Sequence, residues 1–132
     1  MTDHPFDTAI ALVPQGEGAW QCTTSPFYAN MIGPFGGITA AQALNGVLQH
    51  PQRLGDPVAL TVNFAAALAD GPFEVIARPA RTNRSTQHWV VEIRQNGDTA
   101  LTGTAVTALR RDTWGAKEAA MPQVPRPADV PP

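Results

Sequence analysis

The stretch that decides the fold runs from residue 36 to residue 50 and reads GGITAAQALNGVLQH. It holds no Asp, Glu, Lys, Arg or Pro, and it stops at Pro51. Placed at 100° per residue, its apolar side chains fall on one broad arc made of Ala40, Ala41, Ala43, Leu44, Val47 and Leu48. The pattern predicts one long helix from about Gly36 to Gln49. Because a helix in water usually carries charged residues on its outer face, the missing charges predict that protein surrounds this helix on most sides.

The residues after Pro51 predict four strands. Apolar residues at every second position mark the first and third of them, with Val58, Leu60, Val62 and Phe64 in one and Trp89, Val91 and Ile93 in the other. The second strand covers residues 73–79. Asn96 and Gly97 form the strongest hairpin signal in the chain and lead into the fourth strand, from Thr99 to Arg110. Turn residues in each gap predict three consecutive hairpins, and hence an antiparallel meander.

One antiparallel sheet and one uncharged helix combine in a single way. The apolar face of the sheet needs a cover, and the helix is available to lie along it. We therefore expect an α+β hot-dog fold, in which an antiparallel β-sheet wraps around one long central helix. A chain of 132 residues fits one such domain, over residues 1–120. Residues 121–132 are rich in proline and are expected to form a tail or a linker.

Composition excludes several classes of function. The formal net charge is -2, which gives no electrostatic basis for binding nucleic acid. Cys22 is the only cysteine, so an intrachain disulfide and a multi-cysteine metal site are excluded, and a cytoplasmic location is expected. The first residues have neither a basic start nor a long apolar run, so no signal peptide and no membrane contact are expected.

Four segments resemble the acyl-CoA thioesterase II family, in matching order and spacing. They are GPFGGITAAQAL at 33–44, LTVNFAAALADGPFEV at 60–75, RTNRSTQHW at 81–89 and ALTGTAVTALRR at 100–111. The run MPQVPRP at 121–127 is similar to the connector between the two hot-dog halves of complete members, which are about twice this length. The chain thus resembles an N-terminal half. The resemblance implies binding of acyl-CoA and hydrolysis of its thioester to free fatty acid and CoA.

The helix start is the first candidate site. Free backbone N–H groups and the helix dipole at Gly36 and Gly37 suit the thioester oxygen, with Gly37 as the catalytic donor and Gly36 as a substrate contact. The alternative is that these glycines only let the helix pack closely. Gln42 and Asn30 are candidates for orienting a water, although neither amide can act as a base. Their alternative role is that of buried or interfacial hydrogen-bond partners.

The water-activating group is missing from this half. No Asp or Glu lies between Gly18 and Gly55. In the resembled family the Asp, Thr and Gln that hold the attacking water come chiefly from the second half. We therefore expect weak or no hydrolysis by this chain alone, and association either with another copy or with a second hot-dog half.

Arg81, Arg84 and Ser85 are the candidate contacts to the CoA arm, because they lie at a crossover between strands and arginine suits phosphate. On residue type alone, solvated arginines are the alternative. No cofactor beyond the CoA thioester substrate is expected. A non-catalytic acyl-binding or assembly domain remains the main alternative function. A hot-dog hydratase is less favoured, because no Asp and His pair is found beside the helix.

Overall fold

A computed structural model describes residues 4–131. It contains one long helix and a six-stranded sheet in which every pairing is antiparallel. The helices are α1 (Pro5–Ala9) and α2 (Gly36–Leu48), and the strands are β1 (Val13–Gly16), β2 (Ala19–Thr23), β3 (Asp56–Phe64), β4 (Pro72–Thr82), β5 (Thr86–Gln95) and β6 (Asp98–Ala108). Single 3-10 turns occupy Pro26–Tyr28 and Pro127–Asp129. Among the described residues, no helix is long and apolar enough to cross a membrane.

The predicted architecture is confirmed, since the sheet wraps around α2, whose bounds differ from the expected ones by a single residue. Val47 and Ala43 of α2 are fully buried against the inward side chains of β4 and β5, such as Val75 and Val91. The strand order is β1-β2-β4-β5-β6-β3. The core therefore lies between one face of the sheet and one side of the helix.

The prediction of three consecutive hairpins is wrong in one place. The strands β4, β5 and β6 do form a meander, but β3 pairs with β6 at the edge of the sheet and not with β4. Residues 65–71 connect β3 to β4, and this crossing segment is long enough to pass over the ends of β6 and β5. The amides of Ala65 and Ala66 both donate to the carbonyl of Ala100, while the side chain of Gln95 bonds Ala69 through both its amide and its carbonyl oxygen. These contacts hold the connection across the sheet end, so its turn residues do not close a hairpin.

The edge position of β3 changes the burial of its side chains. Val58 and Phe64 are more than half exposed, whereas Leu60 and Val62 are partly buried against the core. A register irregularity between Pro57 and Ala59 interrupts the alternation at the start of the strand. All four alternating residues lie in β3 as predicted, but only Leu60 and Val62 pack against the core. One edge of β3 has no strand beside it among the described residues.

The N-terminal segment covers the polar side of α2. Asn45 donates to the carbonyl of Ile10 at 2.7 Å, and Gln42 donates to the carbonyl of Ala9 at 2.8 Å. These bonds satisfy the backbone carbonyls of the segment that passes over α2 at the end of α1 and before β1. The expectation that α2 is surrounded on most sides is confirmed, and Ile38, which is not part of the predicted apolar arc, is buried as well.

Candidate functional site

A cavity of about 460 Å³ opens where α2 begins. One wall is the loop before the helix, the second is the start of α2, and the third is the end of β3 with the crossing segment. The lining residues are Asn30, Met31, Ile32, Gly33, Pro34, Gly36, Thr39, Phe64, Ala65, Ala66, Ala67, Leu68, Ala100 and Leu101. Most of these side chains are apolar or small, which suits a ligand with a hydrocarbon part.

The helix start offers backbone donors to this cavity. Phe35 is the N-cap residue and makes no side-chain capping bond. Its own amide donates to Tyr28, and the amide of Ile38 donates to Phe35, but those of Gly36 and Gly37 have no partner among the described residues. Two free N–H groups at the positive end of a helix dipole can stabilise negative charge on a carbonyl oxygen. Gly36 lines the cavity, whereas Gly37 is not among its lining residues, so of the two predicted donors only the amide of Gly36 lies at the cavity edge.

Two aromatic rings also explain these glycines. A Cβ at Gly36 would lie 3.1 Å from the ring of Phe64, and a Cβ at Gly37 would collide with the ring of Phe35. Both rings are more than half exposed, so each has room to move. Close packing is therefore one role of the glycine pair, and it leaves the free amides in place.

Asn30 lies in the loop that walls the cavity. Its backbone amide donates to the carbonyl of Gly33 at 2.6 Å, and its side-chain oxygen accepts from the amide of Met31 at 2.7 Å. The tip of this loop carries Met31 and Ile32, which are 96% and 85% exposed. Asn30 can still present its side-chain amide nitrogen to a ligand, while its oxygen is engaged in shaping the loop.

Gln42 lies away from the cavity, one and a half turns further along α2, and is fully buried. Its side-chain nitrogen donates to the carbonyls of Ala9 and Thr23. To direct a water at the cavity, this side chain would have to give up both bonds. The observed contacts instead match the alternative considered for it, that of a buried hydrogen-bond partner.

We expect Gln42→Leu to destabilise the chain by about 1–3 kcal/mol, because the buried carbonyl of Ala9 and the partly buried carbonyl of Thr23 lose their donor while the side-chain volume is nearly kept. The measurement is denaturant unfolding, with limited proteolysis of the N-terminal segment as a second readout. Gln49→Leu is the matched control, since Gln49 is exposed. Equal stability of wild type and Gln42→Leu would contradict the structural role.

Thr39 was not identified from the sequence. It lies one turn into α2, lines the cavity and is 5% exposed. The usable signal was its spacing of three residues from Gly36, which places both on the same side of a helix. Its hydroxyl is the only side-chain hydroxyl among the residues that line the cavity.

No carboxylate lines the cavity, as the sequence led us to expect. The one cysteine, Cys22, does not line the cavity. Burial raises the pKa of its thiol, and hydrogen bonds with Thr23 and Gln42 lower that pKa by less than burial raises it. A neutral, buried thiol is a poor nucleophile. Within the described residues, the cavity lining therefore provides the amide of Gly36 and an apolar space but no carboxylate.

Arg81, Arg84 and Ser85 lie at the opposite end of the sheet from the cavity. Their turn joins β4 to β5 beside Ala108, whereas the cavity lies beside Leu101 of the same strand. Seven residues of strand separate these points by roughly 23 Å. Arg81 and Arg84 are exposed, and Arg81 donates to the side chain of Asn83 at 3.1 Å. The two predicted parts of the site are therefore not brought together within one chain.

The same end of the sheet holds two further arginines that the sequence reasoning passed over. The amide of Leu109 donates to the carbonyl of Ser85 at 3.0 Å, which carries Arg110 and Arg111 to the β4–β5 turn. Both are exposed. The strand pairing creates this concentration of positive charge, which suits a phosphorylated ligand.

Solved structures similar to this chain support the fold. A conserved protein of unknown function with a hot-dog fold from Alicyclobacillus acidocaldarius is 51% identical, with a TM-score of 0.89 over 98% of this chain and 49% of that one. Acyl-CoA thioesterase II TesB2 from Mycobacterium marinum is 18% identical, with a TM-score of 0.77 over 96% of this chain and 47% of that one. A Bacillus halodurans protein whose structure contains CoA is 16% identical, with a TM-score of 0.62 over 72% of this chain and 68% of that one.

This chain spans about half the length of the first two of these proteins. No curated protein matches it in sequence. The family model of the acyl-CoA thioesterase N-terminal domain matches residues 25–108, which is more than half of the chain and includes α2, the cavity and the four long strands. The predicted resemblance is confirmed, and the chain belongs to the acyl-CoA thioesterase N-terminal domain family.

Proposed function

We propose that this chain is one half of an acyl-CoA thioesterase, which binds acyl-CoA and helps a second hot-dog unit to hydrolyse the thioester to free fatty acid and CoA. One observation carries the proposal. An apolar cavity is lined by Gly36, whose amide is free at the start of α2, yet no carboxylate lines it. Such a site can bind and polarise a thioester carbonyl but has no means to activate water.

The division of the site between two sheet ends supports a second unit. If a similar unit adds to the free edge of β3 in antiparallel register, its own β4–β5 turn comes next to the cavity of this chain. The arginines of each unit then serve the cavity of the other, with Arg81, Arg84 and Arg110 of this chain reaching toward CoA phosphates in the partner's site. A site of this kind is complete only when two units associate.

The length of the relatives supports the same arrangement. This chain aligns with 49% and 47% of the proteins from Alicyclobacillus acidocaldarius and Mycobacterium marinum, so each has room for another domain of this size. The water-activating Asp, Thr and Gln of the resembled family would then come from the partner. The single cysteine suits work in a reducing cytoplasm.

The test is a two-unit chimera, in which this chain replaces the matching half of the Alicyclobacillus acidocaldarius protein. A chromogenic thiol reagent measures CoA release from acyl-CoAs of different chain length, for the chimera and for the isolated chain. We expect turnover near background for the isolated chain and at least about 100-fold more for the chimera, because under this proposal the second half supplies the general base. Cys22→Ala in both proteins removes any thiol signal from the chain itself.

The non-catalytic acyl-binding domain is the second candidate, favoured by the absence of a carboxylate from the cavity lining. It predicts that the chimera binds acyl-CoA in calorimetry without releasing thiol. Robust turnover by the isolated chain would contradict both candidates, since it would require a water-activating group within this half.

A further inference from the structure

The C-terminal segment, residues 109–131, leaves the sheet at the end of β6 and is exposed along its whole length. After the bond between Leu109 and Ser85, no hydrogen bond among the described residues joins it to the sheet or to the long helix. It nevertheless carries five large apolar side chains, which are Leu109, Trp114, Met121, Val124 and Val130, exposed by 44%, 86%, 79%, 63% and 54%. A segment of this composition has apolar surface but no core of its own to bury it.

Trp114 is the most informative of these residues. The other two tryptophans, Trp20 and Trp89, are only 4% and 1% exposed, as is usual for so large a side chain. A tryptophan left 86% exposed in a segment without α-helix or strand is the kind of residue that anchors protein interfaces. Single exposed aliphatic residues are common on protein surfaces, but an almost fully exposed indole is unusual and calls for an explanation.

The longer relatives indicate what lies against this segment. The match to the Alicyclobacillus acidocaldarius protein extends over 98% of this chain, so it has to include most of residues 109–131. That protein is about twice as long, and the matched part is 49% of it. The segment is thus aligned within a protein that has about as many residues again outside the match.

We propose that the C-terminal segment is a docking strap, whose Trp114 packs against the second hot-dog unit and holds it to the free edge of β3. The inference rests on the two-unit assembly of the proposed function and adds the surface that secures it. The segment leaves β6 directly beside β3, so it starts at the edge where the second unit would bind. Its prolines restrict the unbound segment to extended conformations, which lowers the entropy lost on docking.

The experiment measures the accessibility of Trp114 to acrylamide. Fluorescence quenching is compared between each protein and its Trp114→Phe variant, for the isolated chain and for the two-unit chimera, so that emission from all other tryptophans cancels. We expect Trp114 to be freely quenched in the isolated chain and its quenching to fall several-fold in the chimera. Light scattering establishes the mass of each protein in the same samples.

A second measurement tests whether Trp114 holds the units together. A protease site placed after Pro132 of the chimera allows the two units to be separated by dilution. Trp114→Ala should weaken their association by a factor of roughly 10 or more, as expected for an interface anchor. Val13→Ala is the matched control, because Val13 is 59% exposed on β1, the strand at the other edge of the sheet. It should leave association unchanged.

The outcomes separate this inference from the proposed function. A catalytically active chimera in which Trp114 stays freely quenched would overturn the docking strap and leave the thioesterase proposal standing. A shielded Trp114 in a chimera without turnover would support the strap and reject the thioesterase. Shielding of Trp114 in the isolated chain at dimeric mass would show that the segment docks on a second copy, which overturns the choice of partner.

Discussion

Replacement of Gly36 by proline is expected to lower the turnover of the two-unit chimera by a factor of roughly 100 or more, whereas Gly36→Ala retains most of it. Proline removes one backbone N–H, and the loss of one donor from an oxyanion site has about this effect. The amide of Gly36 has no other partner among the described residues, so its loss should affect little except a ligand.

The position tolerates proline for clear structural reasons. Gly36 is the first residue of α2, where helices accept proline because that amide makes no intrahelical bond. The preceding residue, Phe35, has a ψ angle of 131°. This extended conformation is the one that a residue before proline prefers. Stability should therefore be unchanged or slightly raised, because proline restricts the unfolded chain.

Alanine at the same position is the matched control. It introduces a Cβ 3.1 Å from the ring of Phe64, as proline does, but it keeps the N–H. The readouts are kcat, KM and thermal unfolding of the three proteins. Equal losses of kcat in Gly36→Pro and Gly36→Ala would assign the glycine to packing alone and remove the donor from the mechanism.

Truncation of Trp89 to alanine is expected to lower the free energy of unfolding by roughly 3–5 kcal/mol, the usual effect of removing a large buried aromatic side chain. Trp89 is 1% exposed on the inner face of β5. Its indole N–H donates to the hydroxyl of Thr107 at 3.2 Å, and its ring packs edge-to-face on His50 at 4.9 Å between centroids. Truncation leaves Thr107 and His50 without these contacts and creates a large cavity in the core.

The control for this experiment is Trp114→Ala in the isolated chain. It removes the same side chain from a position that is 86% exposed, so we expect a change within about 0.5 kcal/mol. Chemical denaturation followed by far-UV circular dichroism measures both variants. A large loss in both variants would mean that Trp114 packs in the isolated chain, whereas a small loss in both would contradict the burial of Trp89 in the core.

Local sequence pattern was sufficient for the elements themselves. The uncharged run after Gly36 predicted α2, and the alternation of Trp89, Val91 and Ile93 predicted β5 with its buried face. These predictions succeed because helix and strand periodicity depend on residues close together in the chain. Strand pairing depends on contacts between distant residues, and a turn signal such as Gly71 followed by Pro72 does not say whether the chain reverses or crosses. For that reason the pairing of β3 with β6 was missed.

The same distinction between local pattern and long-range contacts applies to the candidate site. The sequence by itself determined that a glycine-led helix offers free amides and that no Asp or Glu lies near them along the chain, because both depend only on residue identity between Gly18 and Gly55. Only the tertiary structure decided that Gln42 is occupied by the carbonyl of Ala9, and that the arginine turn lies a strand's length from the cavity. Those facts follow from the crossing of the N-terminal segment over α2 and from the antiparallel register of β5 on β6, arrangements between segments far apart in sequence that no local pattern encodes.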